Sequence, residues 1–463
     1  MFVRFTPSLV SRGGSVADGQ FIRVIRQKEV LALSFGAMIG WSWVALTGNW
    51  IGGAGSAGAM LAFALGGVVV IFVGLTYAEL ASAMPQAGGE HVYASRALGR
   101  TASFICTWAI LLGYVSVVAF EAVALPTVID YLIPGFSRGY LWTVAGWDVE
   151  LTWVLVGVVA AIAMTAVNIV GIRTAARLQL LAAALILLVG FLLFAGALVS
   201  GDAGNMPPLF SGGAKGLLGV LIMVPFMFVG FDVIPQSAEE IDIPFTEIGK
   251  LLMVSIVMAV VWYIAMIWAV STGLGEAARS SSSLPTADAS AALLGGSWGG
   301  KLLVIGGIGG ILTSWNAFLI GGSRAIYALA RAGQLPASLG RLHPKFNTPH
   351  RAVMLIGALS ILAPLFGRPA LVWLVDAGGL GIVVAYAFVA WSFLVLRKRE
   401  PEMTRPYVVK HGIWVGWAAL LLSLGVAALY FPGSPAALVW PYEWMIVFGW
   451  MILGVLLALF AKK

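Results

Sequence analysis

The sequence predicts an all-α polytopic membrane protein with twelve transmembrane helices. Of its 463 residues, 60% are hydrophobic and only 10% are charged, whereas soluble proteins carry about 25% charged residues. Twelve apolar runs recur along the chain, and each is close to the length of about 20 residues that a bilayer-spanning helix needs. So few charges cannot cover a water-facing surface, which excludes a soluble globular protein.

The twelve apolar runs follow one another with polar connections between them. They cover residues 30–51, 56–78, 102–132, 152–170, 178–200, 217–236, 251–273, 298–321, 352–367, 371–396, 413–431 and 441–461. Val and Ile give several runs a strand-like composition over short windows. Because the runs are long and lack period-2 alternation, and because lipid does not tolerate an open sheet, we expect helices.

The basic residues predict how the helices are oriented. With the N-terminus inside, only five of the 27 Lys and Arg residues fall in outer loops, and these are Arg138, Lys215, Arg279, Lys301 and Arg368. Cytoplasmic loops of membrane proteins carry such an excess of basic residues. We therefore expect an integral protein of the cytoplasmic (inner or plasma) membrane with both termini in the cytoplasm.

Several function classes are excluded by composition and motifs. Cys106 is the only cysteine, so a disulfide framework and a multi-thiolate metal site are not expected. The spans contain no HExxH, no GxSxG and no His–acid cluster, so we expect no enzyme and assign no catalytic residue. No sustained apolar core precedes Val30, so no signal peptide is expected. The net charge of +7 fits cytoplasmic loops better than nucleic-acid binding.

Two of the spans carry residues that break helices. The first run has Gly36 and Gly40 in its middle, and the sixth has Pro225, Gly230 and Pro235. Proline removes a backbone donor and glycine lowers helix stability. Membrane helices also tolerate both residues for close packing. Positions one and six of a ten-helix core are where two inverted five-helix repeats would each place their first, discontinuous helix.

Seven segments in order identify a family resemblance. They are GAMIG, YAELASAMPQAGGEHVYASRALG, NIVGIRTAARLQ, FVGFDVIPQSAEEIDIP, SRAIYALARAGQLP, KFNTPHRA and TRPYVV. Between about Glu29 and Pro406 the chain resembles the amino acid–polyamine–organocation superfamily of permeases, which have the LeuT-type fold. The resemblance implies ten core helices in two inverted halves, two peripheral helices, and secondary transport of an amino acid or related amine.

The resemblance also implies how the chain is divided. The expected units are a cytoplasmic N-terminal segment, two five-helix repeats and a peripheral pair of helices, at residues 1–29, 30–200, 201–400 and 401–463. The expected partners are a small-molecule amino acid or amine and the lipid bilayer, without nucleic acid. The sequence leaves the oligomeric state open.

The break in the first span is a candidate substrate site. The resemblance implies that backbone amides around Gly40, Trp41 and Ser42 hold a substrate carboxylate, with Ala37 and Ile39 in the same segment. An amide-rich half-helix N-terminus favours such an anion. Trp41 and Ser42 stand where the family has small residues. This departure also fits a smaller pocket or a substrate without a carboxylate.

The break in the sixth span supplies the complementary candidates. Carbonyls around Phe226, Met227 and Val229 would accept hydrogen bonds from a substrate ammonium group. By resemblance, Phe226 matches the aromatic residue that closes over the substrate, and Gly230 is the hinge. Asp232 stands where relatives carry an acidic or amide residue near the inner gate. A carboxylate within a span is a functional candidate because it is costly there.

Glu121 is the acidic residue placed deepest within a predicted span, the third. An uncompensated charge at that depth costs about 2.5–3.5 kcal/mol on insertion scales. Glu121 could meet a substrate ammonium, carry a proton, or be protonated and structural. The sequence around it resembles the third span of ethanolamine-type relatives over a short stretch.

A sodium site is the favoured hypothesis for ion coupling. Many proton-coupled relatives carry a lysine in the fifth span, but the matching position here lies near Ile186, so we expect open space there. The i, i+3, i+4 spacing places one carbonyl and two hydroxyls of the eighth span on one face. With two carbonyls from the first span, the candidate ligands are Gly36, Ile39, Gly310, Thr313 and Ser314.

Other interpretations of these residues stay open. Thr313 and Ser314 could bond back to carbonyls of their own helix, as hydroxyl residues often do in membranes. Proton coupling through Glu121 or Asp232 and uncoupled exchange also fit the absent lysine. The sequence therefore predicts a secondary transporter, with Na⁺ favoured over H⁺ as the coupling ion and no other cofactor. Small amino acids are the first expected substrates and ethanolamine-like amines the second, while a channel and a non-transporting sensor are the distant alternatives.

Overall fold

The computed structural model describes Phe21 and residues 23–461, and for residues 172–177 it describes the backbone only. Most of the predicted N-terminal segment therefore lies outside the described residues. The α-helices are, in chain order, α1 (Gln27–Met38), α2 (Ser42–Ala54), α3 (Ser56–Ala83), α4 (Glu90–Leu98), α5 (Arg100–Leu132), α6 (Leu151–Val170), α7 (Ile172–Ser200), α8 (Gly213–Phe228), α9 (Val233–Gln236), α10 (Phe245–Gly273), α11 (Glu276–Ser281), α12 (Pro285–Leu293), α13 (Ser297–Arg331), α14 (His350–Leu362), α15 (Ala370–Arg399), α16 (Gly412–Leu429) and α17 (Tyr442–Phe460).

The helices confirm a polytopic membrane protein. Within the described residues, 11 stretches are long and apolar enough to cross a membrane, with α1 and α2 forming one stretch and α8 and α9 another. The run predicted at 352–367 forms α14 and a 3-10 turn, Ala363–Phe366, and is shorter than the others. Pro364 lacks a backbone donor, which explains why the α-helix ends at Leu362. Eleven full-length spans and one short apolar helix therefore stand where twelve spans are predicted.

A small β-hairpin is a local addition to the predicted all-α fold. Strands β1 (Tyr140–Val144) and β2 (Trp147–Glu150) pair antiparallel in the connection between α5 and α6. The two residues between them, Ala145 and Gly146, both have positive φ, at 49° and 79°. Positive φ at both central positions is the requirement of the two-residue hairpin turn that matches strand twist. The β-branched and aromatic residues of this short loop favour strands, which helix-length apolar patterns do not reveal.

The core of the bundle is formed by the helices that surround the two broken spans. In the most apolar 18-residue stretches of α5 and α13, 83% of the residues are buried within the protein. In the corresponding stretch of α17, only 22% are buried. The broken first span packs against α7, α10 and α13. Apolar side chains that face outwards, such as Trp414 on α16, suit contact with lipid. Among the described spans, α17 is therefore the one least surrounded by the rest of the bundle.

Buried ion pairs join distant segments at the end of the bundle predicted to face the cytoplasm. Glu79 of α3 pairs with Arg397 of α15, and its Oε1 lies 3.0 Å from Nε of Arg405. Arg324 of α13 makes two parallel hydrogen bonds of 2.9 Å to the carboxylate of Glu240. Such bidentate pairs fix geometry as well as charge. They bring together several of the sequence segments that carry the family resemblance.

Candidate substrate and ion site at two helix breaks

The first span is interrupted between α1 and α2. Helix α1 ends at Met38 and α2 begins at Ser42, so three residues between them leave the helix. The hydroxyl of Tyr263, on α10, donates a 2.7 Å hydrogen bond to the Met38 carbonyl. The Ser42 hydroxyl lies 2.9 Å from the same phenol oxygen. Since the Tyr263 proton goes to Met38, Ser42 is the donor of that second bond. A side chain from another helix thus holds this break.

The sixth span is interrupted between α8 and α9, and its own residues hold the break. Gly230 has φ +136°, which L side chains rarely adopt. Its backbone amide donates to Oδ1 of Asp232 at 2.8 Å. The Val233 amide donates to the Gly230 carbonyl at 3.2 Å. The carbonyls of Phe226 and Val229 consequently lose the i+4 donors that a continuous helix would give them.

The two breaks lie against each other. A Cβ added to Gly230 would come within 2.8 Å of Cβ of Ala37 and 2.9 Å of the backbone nitrogen of Met38. The structure therefore brings the predicted residues of the first and sixth spans into one buried region. Free helix ends and carbonyls from two spans meet there, as they do at the binding sites of transporters built from discontinuous helices.

Phe226 is positioned between two other core helices. Its ring centroid is 6.0 Å from that of Phe120 on α5. If Gly378 of α15 carried a Cβ, that atom would lie 3.0 Å from the edge of the Phe226 ring. Met227 and Val229 are buried in the same segment. This aromatic side chain therefore lies where movement of α5 or α15 would displace it.

Glu121 comes to the first break, although the sequence places it on a different span. Its side chain is 2% exposed, and its Oε1 accepts a hydrogen bond from the hydroxyl of Ser314. A Cβ added to Gly40 would lie 3.1 Å from the same oxygen. Among the described residues, Oε2 of Glu121 has no hydrogen-bond partner.

Trp41 fills the space beside Gly40. The side chain is fully buried, and its ring lies against Gly307 on α13, where an added Cβ would come within 2.0 Å of Cζ3. Glycine at position 307 is therefore what admits the indole. The indole therefore packs into the glycine surface of α13.

The predicted sodium ligands of the first and eighth spans are close together. The Thr313 hydroxyl lies 2.8 Å from the Gly36 carbonyl and 2.9 Å from the Gly310 carbonyl. The Ser314 hydroxyl also lies 2.9 Å from the Gly310 carbonyl. Both hydroxyls thus bond back to their own helix, which is the alternative that the sequence leaves open. For Ile39, the described contact is its amide, which donates to Phe35 at 3.0 Å.

The space expected open near Ile186 is filled. The side chain of Ile186, on α7, is fully buried. If Gly310 carried a Cβ, that atom would lie only 2.2 Å from Cδ1 of Ile186. The expectation failed because the absent lysine is replaced by an apolar side chain that packs into the glycine surface of α13. Dense packing of small and branched residues is the usual way membrane helices associate.

The sequence of the chain matches a known family of membrane proteins. The sequence model of the family described as amino acid permease matches residues 25–457 of this chain. The chain belongs to the amino acid permease family. It is therefore a membrane transport protein and not an enzyme.

Relatives of this permease include proteins named for different solutes. The permease is 28% identical to the branched-chain amino acid permease of Bacillus subtilis over 82% of each chain. It is 25% identical to the methylthioribose transporter of the same organism over 95% of this chain and 94% of the relative. It is 27% identical to mouse cationic amino acid transporter 4 over 81% of this chain and 60% of the relative.

Two residues of the permease site escape sequence reasoning. Tyr263 holds the first break. Gln179 of α7 donates from Nε2 to the Ala32 carbonyl at 3.1 Å and accepts from Nδ2 of Asn316 at 3.0 Å. If Gly36 carried a Cβ, that atom would lie 3.1 Å from Nε2 of Gln179. The only signal for either residue is a polar group within an apolar run.

Asp232 belongs to a second polar cluster of the permease, beyond the sixth-span break. Besides bonding Gly230, it faces the Tyr114 hydroxyl. Glu90, on the short helix α4, is buried and accepts a hydrogen bond from Gln236. Burial, and then the nearby Asp232, raise the pKa of the Glu90 carboxyl. Asp232 therefore supports the break, and its described contacts do not include Glu121.

Proposed function

We propose that this permease is a secondary active transporter that moves a small amino acid or related amine across the cytoplasmic membrane by alternating access. The observation that carries the proposal is the contact between the two helix breaks, at Gly230 and Ala37. Helix ends and carbonyls freed at such breaks provide partners for a zwitterion or an amine within the bilayer. Both termini would face the cytoplasm, as the basic residues favour.

The proposal includes a LeuT-type arrangement of two inverted repeats, at residues 30–200 and 201–400, with residues 401–463 as peripheral helices. It is supported by the positions of the breaks, which interrupt the first and sixth spans. Rocking of one repeat against the other around a fixed site is how such folds alternate access. Phe226 would close over the substrate and Gly230 would act as the hinge.

The proposal also includes coupling to Na⁺ in preference to H⁺. Its support is the group of oxygens formed by the carbonyls of Gly36 and Gly310 and the hydroxyl of Thr313, with separations of 2.8 and 2.9 Å. Ser314 adds a second hydroxyl on the same face of α13. Carbonyl and hydroxyl oxygens suit hard cations. Sodium would replace the present hydrogen bonds, with the hydroxyl protons turned away from the ion.

Uptake into proteoliposomes tests this function. Radiolabelled amino acids and amines would be offered under an imposed Na⁺ gradient, a proton gradient, or choline replacing Na⁺. We expect saturable uptake that depends on Na⁺. Uptake that responds to the proton gradient alone would contradict Na⁺ coupling, and uptake that requires only a solute inside would indicate an exchanger. Binding without any uptake would contradict transport itself and indicate a sensor.

A pair of double variants separates ion binding from packing. Thr313→Ala with Ser314→Ala removes two candidate ligands, and we expect loss of sodium dependence. The matched control is Thr107→Ala with Ser255→Ala, because these buried hydroxyls bond only to their own helices in the described contacts. Unchanged sodium dependence in the first double variant would contradict the sodium site.

A further inference from the structure

The amino-terminal end of α2 is an anion-binding feature built into the site. The first backbone amides of a helix lack partners within it, and the helix dipole makes this end positive. The helix is 13 residues long, and no side chain caps its start at Trp41 or Ser42. The Ser42 hydroxyl is already used as a donor to Tyr263. The end of α2 can therefore accept an anion from elsewhere.

Glu121 provides that anion from α5. If Gly40 carried a Cβ, that atom would lie 3.1 Å from Oε1 of Glu121, two residues before α2 begins. The Ser314 hydroxyl lies within hydrogen-bond distance of Oε1 and shares its single proton between this oxygen and the Gly310 carbonyl. The permease thus carries its own carboxylate at the place where a substrate carboxylate would bind.

The second oxygen of Glu121 points to a missing cation. The side chain is 2% exposed, and Oε2 has no partner among the described residues. The ion pairs that the structure describes do not include Glu121 with any Lys, Arg or His. A buried carboxyl group stays protonated unless a cation pairs with it, and a paired cation favours the ionised form. A bound substrate can supply that cation.

The sixth-span break, which contacts the first, also offers groups that suit an ammonium ion. The carbonyls of Phe226 and Val229 lack their helical donors, because Gly230 and Val233 donate elsewhere. The rings of Phe226 and Trp41 are buried at the two breaks, and aromatic faces attract ammonium groups. A second carboxylate at the end of α2 would instead meet Glu121 at short range, where like charges repel strongly.

We propose that the preferred substrate is an organic cation without a carboxylate, bound through its ammonium group to Glu121. This inference rests on the proposed transport function and narrows its substrate class. An amino acid would have to displace or neutralise Glu121 to place its own carboxylate. The corresponding decarboxylated amine needs neither change.

Matched pairs of solutes test the inference on the wild-type, full-length protein. Leucine is compared with isopentylamine, and serine with ethanolamine, since the members of each pair differ only by the carboxyl group. Binding is measured by thermal shift and by competition on the purified permease. We expect the amine of at least one pair to bind about tenfold or more tightly than its amino acid. Tighter binding of the amino acid in both pairs, or binding of neither member of either pair, would overturn the inference.

A conservative variant assigns the effect to Glu121. Glu121→Gln keeps the shape and removes the charge, so amine affinity should fall about tenfold while amino acid affinity holds or rises. An equal loss for both members would show that Glu121 acts only as a structural cap and would overturn the inference. The wild-type comparison stands even if this variant does not fold.

Transport measurements separate this inference from the function on which it rests. Counterflow of the preferred solute in proteoliposomes reports transport independently of the order of affinities. If amino acids are carried in preference to amines, the substrate inference fails and the transporter stands. If amines bind preferentially but none is carried, transport fails and the substrate inference stands.

Discussion

The two helix breaks meet in one region but are held open by different means. At the sixth-span break, Gly230 adopts φ +136° and Asp232 accepts its amide two residues away. At the first-span break, Tyr263 on α10 holds the last carbonyl of α1, and Glu121 on α5 lies beside Gly40. One break is therefore stabilised locally and the other by tertiary contacts.

Only the first-span break depends on the conformation of the surrounding bundle. The positive φ of Gly230 and its hydrogen bond to Asp232 lie within one short segment and move with it. The sixth-span break should therefore stay open through a transport cycle. The first-span break needs α5, α10 and α13 in place, so relative movement of these helices can change it.

Gly230→Ala should be the most damaging change at the locally held break. The positive φ strains any L side chain, and the new Cβ would clash with Ala37 and Met38. We expect a loss of about 3 kcal/mol or more in stability and no uptake. The control is Gly219→Ala on the same helix α8, where an added Cβ meets nothing within 4 Å. Thermal unfolding in detergent measures both, and equal stability of the two variants would contradict the role of Gly230.

Asp232→Ala should have the next largest effect, because it removes the acceptor of the Gly230 amide. Loss of a buried hydrogen bond to a charged group costs about 1.5–3 kcal/mol. Asp232→Asn keeps an oxygen at Oδ1 and should retain most of the stability and the uptake. Thermal unfolding and uptake together check this. If the Asn variant folds normally but loses uptake, the charge of Asp232 is needed for transport and the purely local account is wrong.

Tyr263→Phe tests the break that other helices hold. Without the hydroxyl, the Met38 carbonyl is left buried without its donor, which costs about 1–3 kcal/mol. The substrate KM should rise because the end of α1 is no longer fixed. Tyr93→Phe is the matched control, since this buried phenol oxygen has no hydrogen-bond partner among the described residues. Equal KM values in the two variants would show that Tyr263 does not position the break.

Ser42→Ala should have the smallest effect, about 0.5–1.5 kcal/mol in stability, because Tyr263 keeps its bond to Met38. A double-mutant cycle with Tyr263→Phe should give a non-additive result, since the two hydroxyls are 2.9 Å apart. Thermal unfolding of the four proteins supplies the cycle. Strict additivity would mean that the Ser42–Tyr263 bond contributes nothing to the first break.

The sequence predicts the locally determined parts of this protein well. Apolar runs of sufficient length identify the spans, because a helix must satisfy its own backbone in lipid. Gly230 and Pro235 mark the sixth break, since their effects on the backbone are local. The family motifs add the expectation of transport, and the match to the amino acid permease family confirms it.

Tertiary contacts are what the sequence does not reveal. Tyr263 and Gln179 are polar residues in apolar runs, and no local pattern shows which helix end they contact. Ile186 fills space that the missing lysine leaves, because packing depends on Gly310 of another helix. The hairpin turn at Ala145 and Gly146 is local, but its strands are too short for a search based on helix-length runs.

Hydrogen exchange by mass spectrometry tests most directly the central claim that both breaks form one substrate site. Amide exchange of the wild-type permease is followed in peptides that cover residues 36–44 and 226–234, over a range of concentrations of a solute that the uptake assay identifies. We predict that the solute slows exchange in both segments with the same half-maximal concentration. Protection of only one segment, or of neither, would contradict a site shared by the two breaks.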